Sequence, residues 1–401
     1  TEIYQEGLRI PVLKLYERGK ANEAVIDLIR VNGRTPETTI GDIQAQLAAC
    51  RIAERGMQKL VDRWGTVELE HCFEELLAYS EREARRTISL IPDGVYSFED
   101  HLDDDGITDG KPVKIRVTAT VSGSELFVDL AGSAPQVAGA INSTLSFTKS
   151  AVYFVVRSLM DADVPNNAGF FRPIKVTAPP GCVANVVLPG ACAARGITGF
   201  RIIDATVGAL AQALPNRVRA AGEGGPSTYS FSGYDRDRRF FLFREGILGA
   251  WGGGYQRDGV DAIANPAVNI RNTPVEIVET QSPIMVEKYG LVPDTGGVGQ
   301  WRGGLSVERQ LRFLGERGVL QFRGDRRDHR PFGLMGGVPV PHRKPGSMTA
   351  TNGDHCRQNL RCQLSTGIAF ITELPEPGDS AIPLRGTPSW CWPMFGTESF
   401  L

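Results

Sequence analysis

The sequence predicts an α+β fold: a long N-terminal helical hairpin followed by a mixed, largely antiparallel, β-rich body with interspersed helices. Three observations carry that prediction. Apolar residues recur at helical spacing from Ile40 to Ile88, strict alternation replaces that spacing between Val113 and Leu130, and glycine-rich turns punctuate short apolar runs from Glu223 onward.

Thr35-Pro36-Glu37 is a helix opening, with a hydroxyl at the cap, proline at the first helical position and an acid at the positive end of the dipole. Ile40, Ile43, Leu47, Ile52, Met57, Leu60, Val61 and Trp64 continue that helix, and Gly65 is placed to end it. Thr66 then reads as the cap of a second helix carrying Leu69, Phe73, Leu76, Leu77 and Ile88, which stops before Pro92-Asp93-Gly94. Two consecutive long helices predict an antiparallel hairpin, an arm that packs on the body or on a partner. The alternating pairs Val113-Ile115-Val117 and Leu126-Val128-Leu130, joined by Ser122-Gly123-Ser124, predict a β-hairpin with one buried face and hence a fixed register. Further helices are expected near Ser146 to Met160 and about Phe200 to Leu214, the second closing at Pro215. The expected organisation is an N-terminal segment at 1–92, an α/β core region at 93–220, a glycine-rich β region at 221–340 and a divergent tail at 341–401.

Composition narrows the function. At 401 residues and 41% hydrophobic content the chain buries a large core and supports more than one structural unit. A formal net charge of −2 leaves no electrostatic footprint for nucleic acid or an anionic membrane surface, and no run of 18 apolar residues is present to span a bilayer. The seven cysteines, Cys50, Cys72, Cys182, Cys192, Cys356, Cys362 and Cys391, are odd in number and lack C-x-x-C spacing. Neither a disulfide framework nor a zinc cage is expected, and with no secretory segment at the start the expected compartment is the cytoplasm. The chain opens on Thr1 rather than Met, so its true beginning is expected upstream.

The densest chemistry is acidic. Asp103, Asp104 and Asp105 are consecutive beside two predicted strands, and like charges so close repel unless donors, cations or water separate them. Such a run is either a solvated turn or a place that collects a positive partner. Of the five histidines, His71, His101, His329, His342 and His355, no two have the spacing of a helical metal site, and only His101 lies beside the acidic run. The glycine runs at Gly222-Glu223-Gly224-Gly225 and Gly252-Gly253-Gly254 match neither the phosphate loop nor the dinucleotide fingerprint, so no ATP site is expected in this chain.

An ordered series of motifs adds to this reading. It runs from Tyr4-Gln5-Glu6-Gly7-Leu8-Arg9-Ile10-Pro11 and Gly41-Asp42-Ile43-Gln44-Ala45-Gln46 through Asp93-Gly94-Val95-Tyr96, the acidic run and Gly132-Ser133-Ala134-Pro135-Gln136. It continues in Gly208-Ala209-Leu210-Ala211-Gln212-Ala213, Asn272-Thr273-Pro274-Val275-Glu276, Pro293-Asp294-Thr295-Gly296-Gly297 and Gly333-Leu334-Met335-Gly336-Gly337. In this series the chain resembles the hydantoinase B/oxoprolinase family, which includes N-methylhydantoinase B, the second half of 5-oxoprolinase and the acetone carboxylase alpha subunit. The resemblance covers about the first 340 residues and then stops. Gly196-Ile197-Thr198-Gly199-Phe200-Arg201 stands where many relatives have Glu-Thr-Ser-Gln-Arg, which resembles a separate hydantoinase-B-like branch.

The resemblance implies the B subunit of an ATP-dependent cyclic-amide hydrolase, opening a lactam or hydantoin ring in a hetero-oligomer with an A-type subunit. ATP and Mg belong to that partner, no cofactor to this chain, and a divalent metal to a histidine-rich segment upstream of it. Ring opening requires a base, a position for water and donors for the developing oxyanion. Asp103, Asp104 and Asp105 are the candidates for a base or a cation-holding edge, and Glu223 for orienting water. Arg201, Asp204 and Asn272 are the candidates for holding a carboxylate, phosphate or ring carbonyl. The structural alternatives are a surface i, i+3 pair for Arg201 and Asp204 and a turn cap for Asn272. Two other functions stand beside the hydrolase: an acetone-carboxylase-like alpha subunit, and a non-catalytic remnant that only binds its partner.

Overall fold

The computed structural model describes residues 1–337, apart from 162, 236 and 316, together with the backbone of four strands at 348–350, 355–356, 361–365 and 369–373. After a 3-10 turn at Ile3–Gln5, strands β1 (Tyr16–Glu17) and β2 (Lys20–Ala21) form a short ribbon. Helix α1 (Glu23–Asn32) follows, which helical periodicity over ten residues is too short to announce; Glu23 in its first turn and Arg30 in its last complement the helix dipole. The two long helices are present. α2 (Pro36–Trp64) has Pro36 at its start, but Thr35 makes no side-chain cap bond. Gly65, at φ 76°, is the single residue between α2 and α3 (Thr66–Ile88), so Thr66 is the first helical residue rather than the cap. α2 buries none of its residues, whereas α3 buries Leu69 and, toward its end, Ser80, Ala84, Thr87 and Ile88. The arm is therefore anchored through the last turns of α3.

The first lobe is a four-stranded sheet in the order β3 (Gly94–Leu102), β4 (Val113–Ser122), β5 (Glu125–Asp129), β6 (Ile174–Thr177). Its alternation is that expected: Val113, Ile115, Val117, Ala119 and Val121 of β4 all face the core. β5 and β6 are parallel, which requires a crossover, here α4 (Leu145–Ser158) and the short α5 (Ala168–Phe171). A Cβ at Gly169 of α5 would fall 1.9 Å from the Leu77 carbonyl oxygen, so glycine is what lets α3 dock there. Helix α6 (Arg195–Ala211) lies on β3, β4 and α4. It starts before the expected Phe200, and a Cβ at Gly199 would meet the Phe147 ring of α4 at 2.3 Å.

The second lobe contains two sheets. One has the order β14-β11-β7-β8, built from β7 (Ser227–Tyr234), β8 (Phe240–Ile247), β11 (Arg317–Arg323) and β14 (Arg361–Ser365). The other runs β13-β12-β15-β10-β9, from β9 (Ile284–Leu291), β10 (Val307–Phe313), β12 (Met348–Ala350), β13 (His355–Cys356) and β15 (Ala369–Glu373), with α7 (Val275–Gln281) preceding β9. Tyr229, Phe231 and Phe241 from the first sheet share one apolar core with Ile284, Leu311 and Phe313 from the second. Two strands of the tail pair in antiparallel register with upstream strands, β15 with β10 and β14 with β11. Beyond β11 the chain crosses back to the first lobe, where Phe332 packs on Phe98 with ring centroids 4.5 Å apart and Leu334 enters the first core. That crossing segment builds the site.

No helix among the described residues is long and apolar enough to cross a membrane. Cys50, Cys72, Cys182 and Cys192 are free thiols.

Candidate functional site

Two periodicities meet where α6 covers β3. Alternation along β3 turns Phe98, Asp100 and Leu102 inward and Glu99 and His101 outward. On α6, Arg201, Asp204 and Gly208 occupy one helical face, and a Cβ at Gly208 would stand 2.7 Å from the Phe98 ring. Into the gap between these elements the segment after β11 delivers Asp325 and Arg326. The result is a buried cluster of two guanidiniums and three carboxylates, Arg201, Arg326, Asp100, Asp204 and Asp325. Arg201 and Asp204 are thus not a surface pair; both are buried, because α6 faces the sheet on one side and the crossing segment on another.

Within the cluster Arg201 Nη2 pairs with Asp325 Oδ2, and Arg201 Nη1 lies 3.5 Å from Asp100 Oδ2 and 3.8 Å from Asp204 Oδ2. Arg326 Nη2 is 2.6 Å from Asp204 Oδ2 and 3.0 Å from Asp100 Oδ2, and Arg326 Nη1 donates to the Arg330 carbonyl at 3.1 Å. Two cations compensate two of three carboxylates, so the third holds a proton unless it is exposed to water. Burial, opposed by Arg201, pushes Asp204 up to about 8 and Asp325 up to about 6. Burial also raises Asp100. It works against the Arg201 charge, yet Asp325, Asp100 and Asp204 together hold that guanidinium above its ordinary range. Glu223 lies in the glycine-rich loop next to the cluster, where a Cβ at Gly224 would meet the Arg326 side chain at 2.9 Å and Arg201 Nη1 at 3.2 Å. Burial drives its carboxyl well above the ordinary range, against the Gly249 N–H, which favours the charged form.

The acidic run lies on the other side of Asp325. Asp103 Oδ1 accepts the N–H groups of Asp328 (3.1 Å) and His329 (2.8 Å), and Oδ2 accepts that of Arg327 (2.7 Å). Asp103 thereby pins the crossing segment, while its own N–H donates to Asp325 Oδ1 at 2.9 Å. Asp105 Oδ1 accepts from Ile107 N and Thr108 N, and its Oδ2 from Gly139 N, so it shapes the turn. Asp104 accepts from Gly106 N at 2.7 Å and is less buried than its neighbours. All three line a cavity of about 180 Å3 together with Asp325, Gln321, Arg323 and the apolar Ile107, Ile141 and Ile197. The His101 ring stacks on His329 at 5.2 Å, and burial and then His329 lower its pKa.

Asn272 belongs elsewhere. Its amide donates to the Gly246 carbonyl at 2.8 Å and its oxygen accepts the Tyr289 hydroxyl at 2.7 Å, within a second-lobe network in which Glu245 pairs with Arg309 and accepts from Tyr229. The structure therefore brings Asp103, Asp104, Asp105, Arg201, Asp204 and Glu223 into one region and leaves Asn272 out of it. Sequence reasoning missed Asp100, Asp325 and Arg326. A charged residue in the inward phase of β3 was a signal available for Asp100, but no local pattern links residue 325 to residue 201. Among the described residues no three His, Cys, Asp or Glu side chains are placed to hold a metal ion.

The family model for hydantoinase B/oxoprolinase matches residues 1–375, past the point near 340 where the motif series ends. A putative D-/L-hydantoinase B-type subunit from Pseudomonas sp. (strain NS671) is 36% identical over 349 residues, covering 84% of this chain and 58% of that protein. The chain thus spans less than two thirds of that relative's length. The crystal structure of an ATP-dependent caprolactamase from Pseudomonas jessenii superimposes with a TM-score of 0.83 at 27% identity, covering 95% of this chain and 67% of that one. A nucleotide-free acetone carboxylase gives the same TM-score at 15% identity, covering 95% of this chain and 57% of that one, a likeness of fold.

Proposed function

The chain belongs to the hydantoinase B/oxoprolinase family, and from that premise we propose that it is the B-type subunit of an ATP-dependent cyclic-amide hydrolase. Its partner is an A-type, ATP-binding subunit that activates the ring carbonyl oxygen. An amide carbonyl resists water because resonance lowers its electrophilicity, and activation of the oxygen removes that protection. This chain receives the activated ring in the cavity beside Asp325. Ile107, Ile141 and Ile197 take the carbon edge of the ring, and Asp325 accepts the proton of the attacking water.

The observation that carries this assignment is the placement of Asp325 on the cavity wall with its carboxyl pushed up to about 6 by burial. Such a group is mostly ionised at neutral pH yet more basic than an ordinary aspartate, the balance that general-base catalysis uses. Arg201 holds the charged form and the Asp103 N–H fixes its orientation, while each carboxylate oxygen keeps a further lone pair for water. Asp103 and Asp105 are positioning residues, since their oxygens are engaged by backbone N–H groups. Asp104 faces the ring. Asp204, the buried acid behind the base, is the carboxyl that takes up the cluster's proton, which leaves Asp325 ionised.

The test is reconstitution with the A-type partner and ATP, followed by ring opening across lactams and hydantoins. Asp325→Asn is expected to lower kcat about 10²–10⁴-fold and to abolish an acidic limb near pH 6. An unchanged kcat refutes the assignment. ATP turnover that requires bicarbonate and a ketone favours the ligase reading, and a stable complex that opens no ring favours a scaffold.

A further inference from the structure

The outward face of the β14-β11-β7-β8 sheet carries an arrangement the proposed chemistry does not use. Register places Arg244 of β8 and Gln321 of β11 on either side of Ser230 of β7, and Arg323 of β11 beside Thr228 one pleat along. Directly opposed residues point to the same side of a sheet, so both guanidiniums rise from the face that presents the two hydroxyls between them. These five side chains line a cavity of about 50 Å3, and two of them, Gln321 and Arg323, also line the larger acidic cavity.

Two cations brought together repel, and Arg323 registers it: burial and then Arg244 lower its pKa. Among the described residues neither Arg244 nor Arg323 has a carboxylate within ion-pair distance. Glu6 is the acid that bears on Arg323, but its Oε1 already accepts the N–H groups of Cys192 and Ala193, each at 2.6 Å. We propose that Arg244, Arg323, Thr228 and Ser230 form a binding tray for a phosphoryl-type oxyanion. A planar carboxylate is satisfied by one guanidinium fork. Two guanidiniums set diagonally across a strand, with hydroxyls between them, offer donors in more than one plane and two positive charges, which match a tetrahedral dianion.

The inference is independent of the cyclic-amide reading, because binding is measured without turnover and either can fail alone. Titration calorimetry of the chain with inorganic phosphate at low salt is expected to show one saturable site. Arg244→Gln with Arg323→Gln should weaken it about tenfold or more, Arg323→Lys should weaken it less, and Arg312→Gln on the neighbouring sheet should leave it unchanged. If the double variant does not fold, Ser230→Ala with Thr228→Val serves in its place, with retained melting behaviour as the control. Phenyl phosphate binding more tightly than phosphate identifies a phosphorylated compound as the ligand, and the reverse order identifies the free ion; both support the site. Absence of saturable phosphate binding, affinity unchanged in the folded variants, or acetate binding as tightly as phosphate overturns it.

Discussion

Replacing Asp204 by Asn tests the charge count in the buried cluster. Asn is nearly isosteric with a protonated aspartate, so the substitution fixes the uncharged state that burial imposes on this residue. The sign follows from linkage: a carboxyl raised from an ordinary 3.8 to about 8 binds its proton more tightly in the folded chain. Its stabilising contribution is complete below pH 3.8 and is lost as pH rises through 8. Between pH 6 and pH 8 that loss integrates to about 2 kcal/mol, and Asp204→Asn does not suffer it. Urea unfolding followed by circular dichroism at pH 6, 7 and 8 should therefore show the wild type falling by about that amount relative to the variant across this window. At pH 6 the two should be close in stability. The competing state has Asp204 ionised against Arg201 and Arg326. Removing it would then strand a buried guanidinium and cost about 3–5 kcal/mol already at pH 6. That outcome, or a gap between the proteins that does not change with pH, refutes the reasoning.

Two substitutions probe the packing that positions the site. Gly208→Val puts a branched side chain where a Cβ already falls 2.7 Å from the Phe98 ring, and overpacking of that kind should lower stability by about 1–3 kcal/mol; an unchanged urea midpoint would show that α6 and β3 move apart freely. Asn272→Ala removes the bonds to the Gly246 carbonyl and the Tyr289 hydroxyl and should cost about 1–3 kcal/mol in the second lobe. Ring opening in the reconstituted complex should survive that change at temperatures where the variant is folded, since Asn272 lies outside the Asp325 cavity; a selective loss of kcat would place it in the chemistry.

How far the sequence reaches differs between elements. α2 and α3 were legible because helical spacing over more than twenty residues, with Pro36 and Gly65 at the junctions, is a local signal. β4 was legible because alternation over ten residues leaves one face apolar. α1 is too short for its periodicity to stand out, and the start of α6 is blurred by Gly196 and Gly199; at Gly199 small size serves contact with α4 rather than helix propensity. Regular strands in the tail escaped notice because their partners, β10 and β11, lie tens of residues upstream.

The same division holds at the site. Sequence by itself determined the family, the two long N-terminal helices, the alternating sheet and the presence of an acidic run beside it, since each rests on residues close together in the chain. Only the tertiary structure decided which of those acids act as anchors and which residue is a candidate base. Asp103 and Asp105 are consumed by N–H groups of the crossing segment and of the turn they shape. Asp325, silent in sequence, gains its character from burial against Arg201, a residue 124 positions away. A carboxylate's pKa and role depend on the charges and dipoles within a few ångströms of it, and those neighbours are fixed by the fold rather than by chain order.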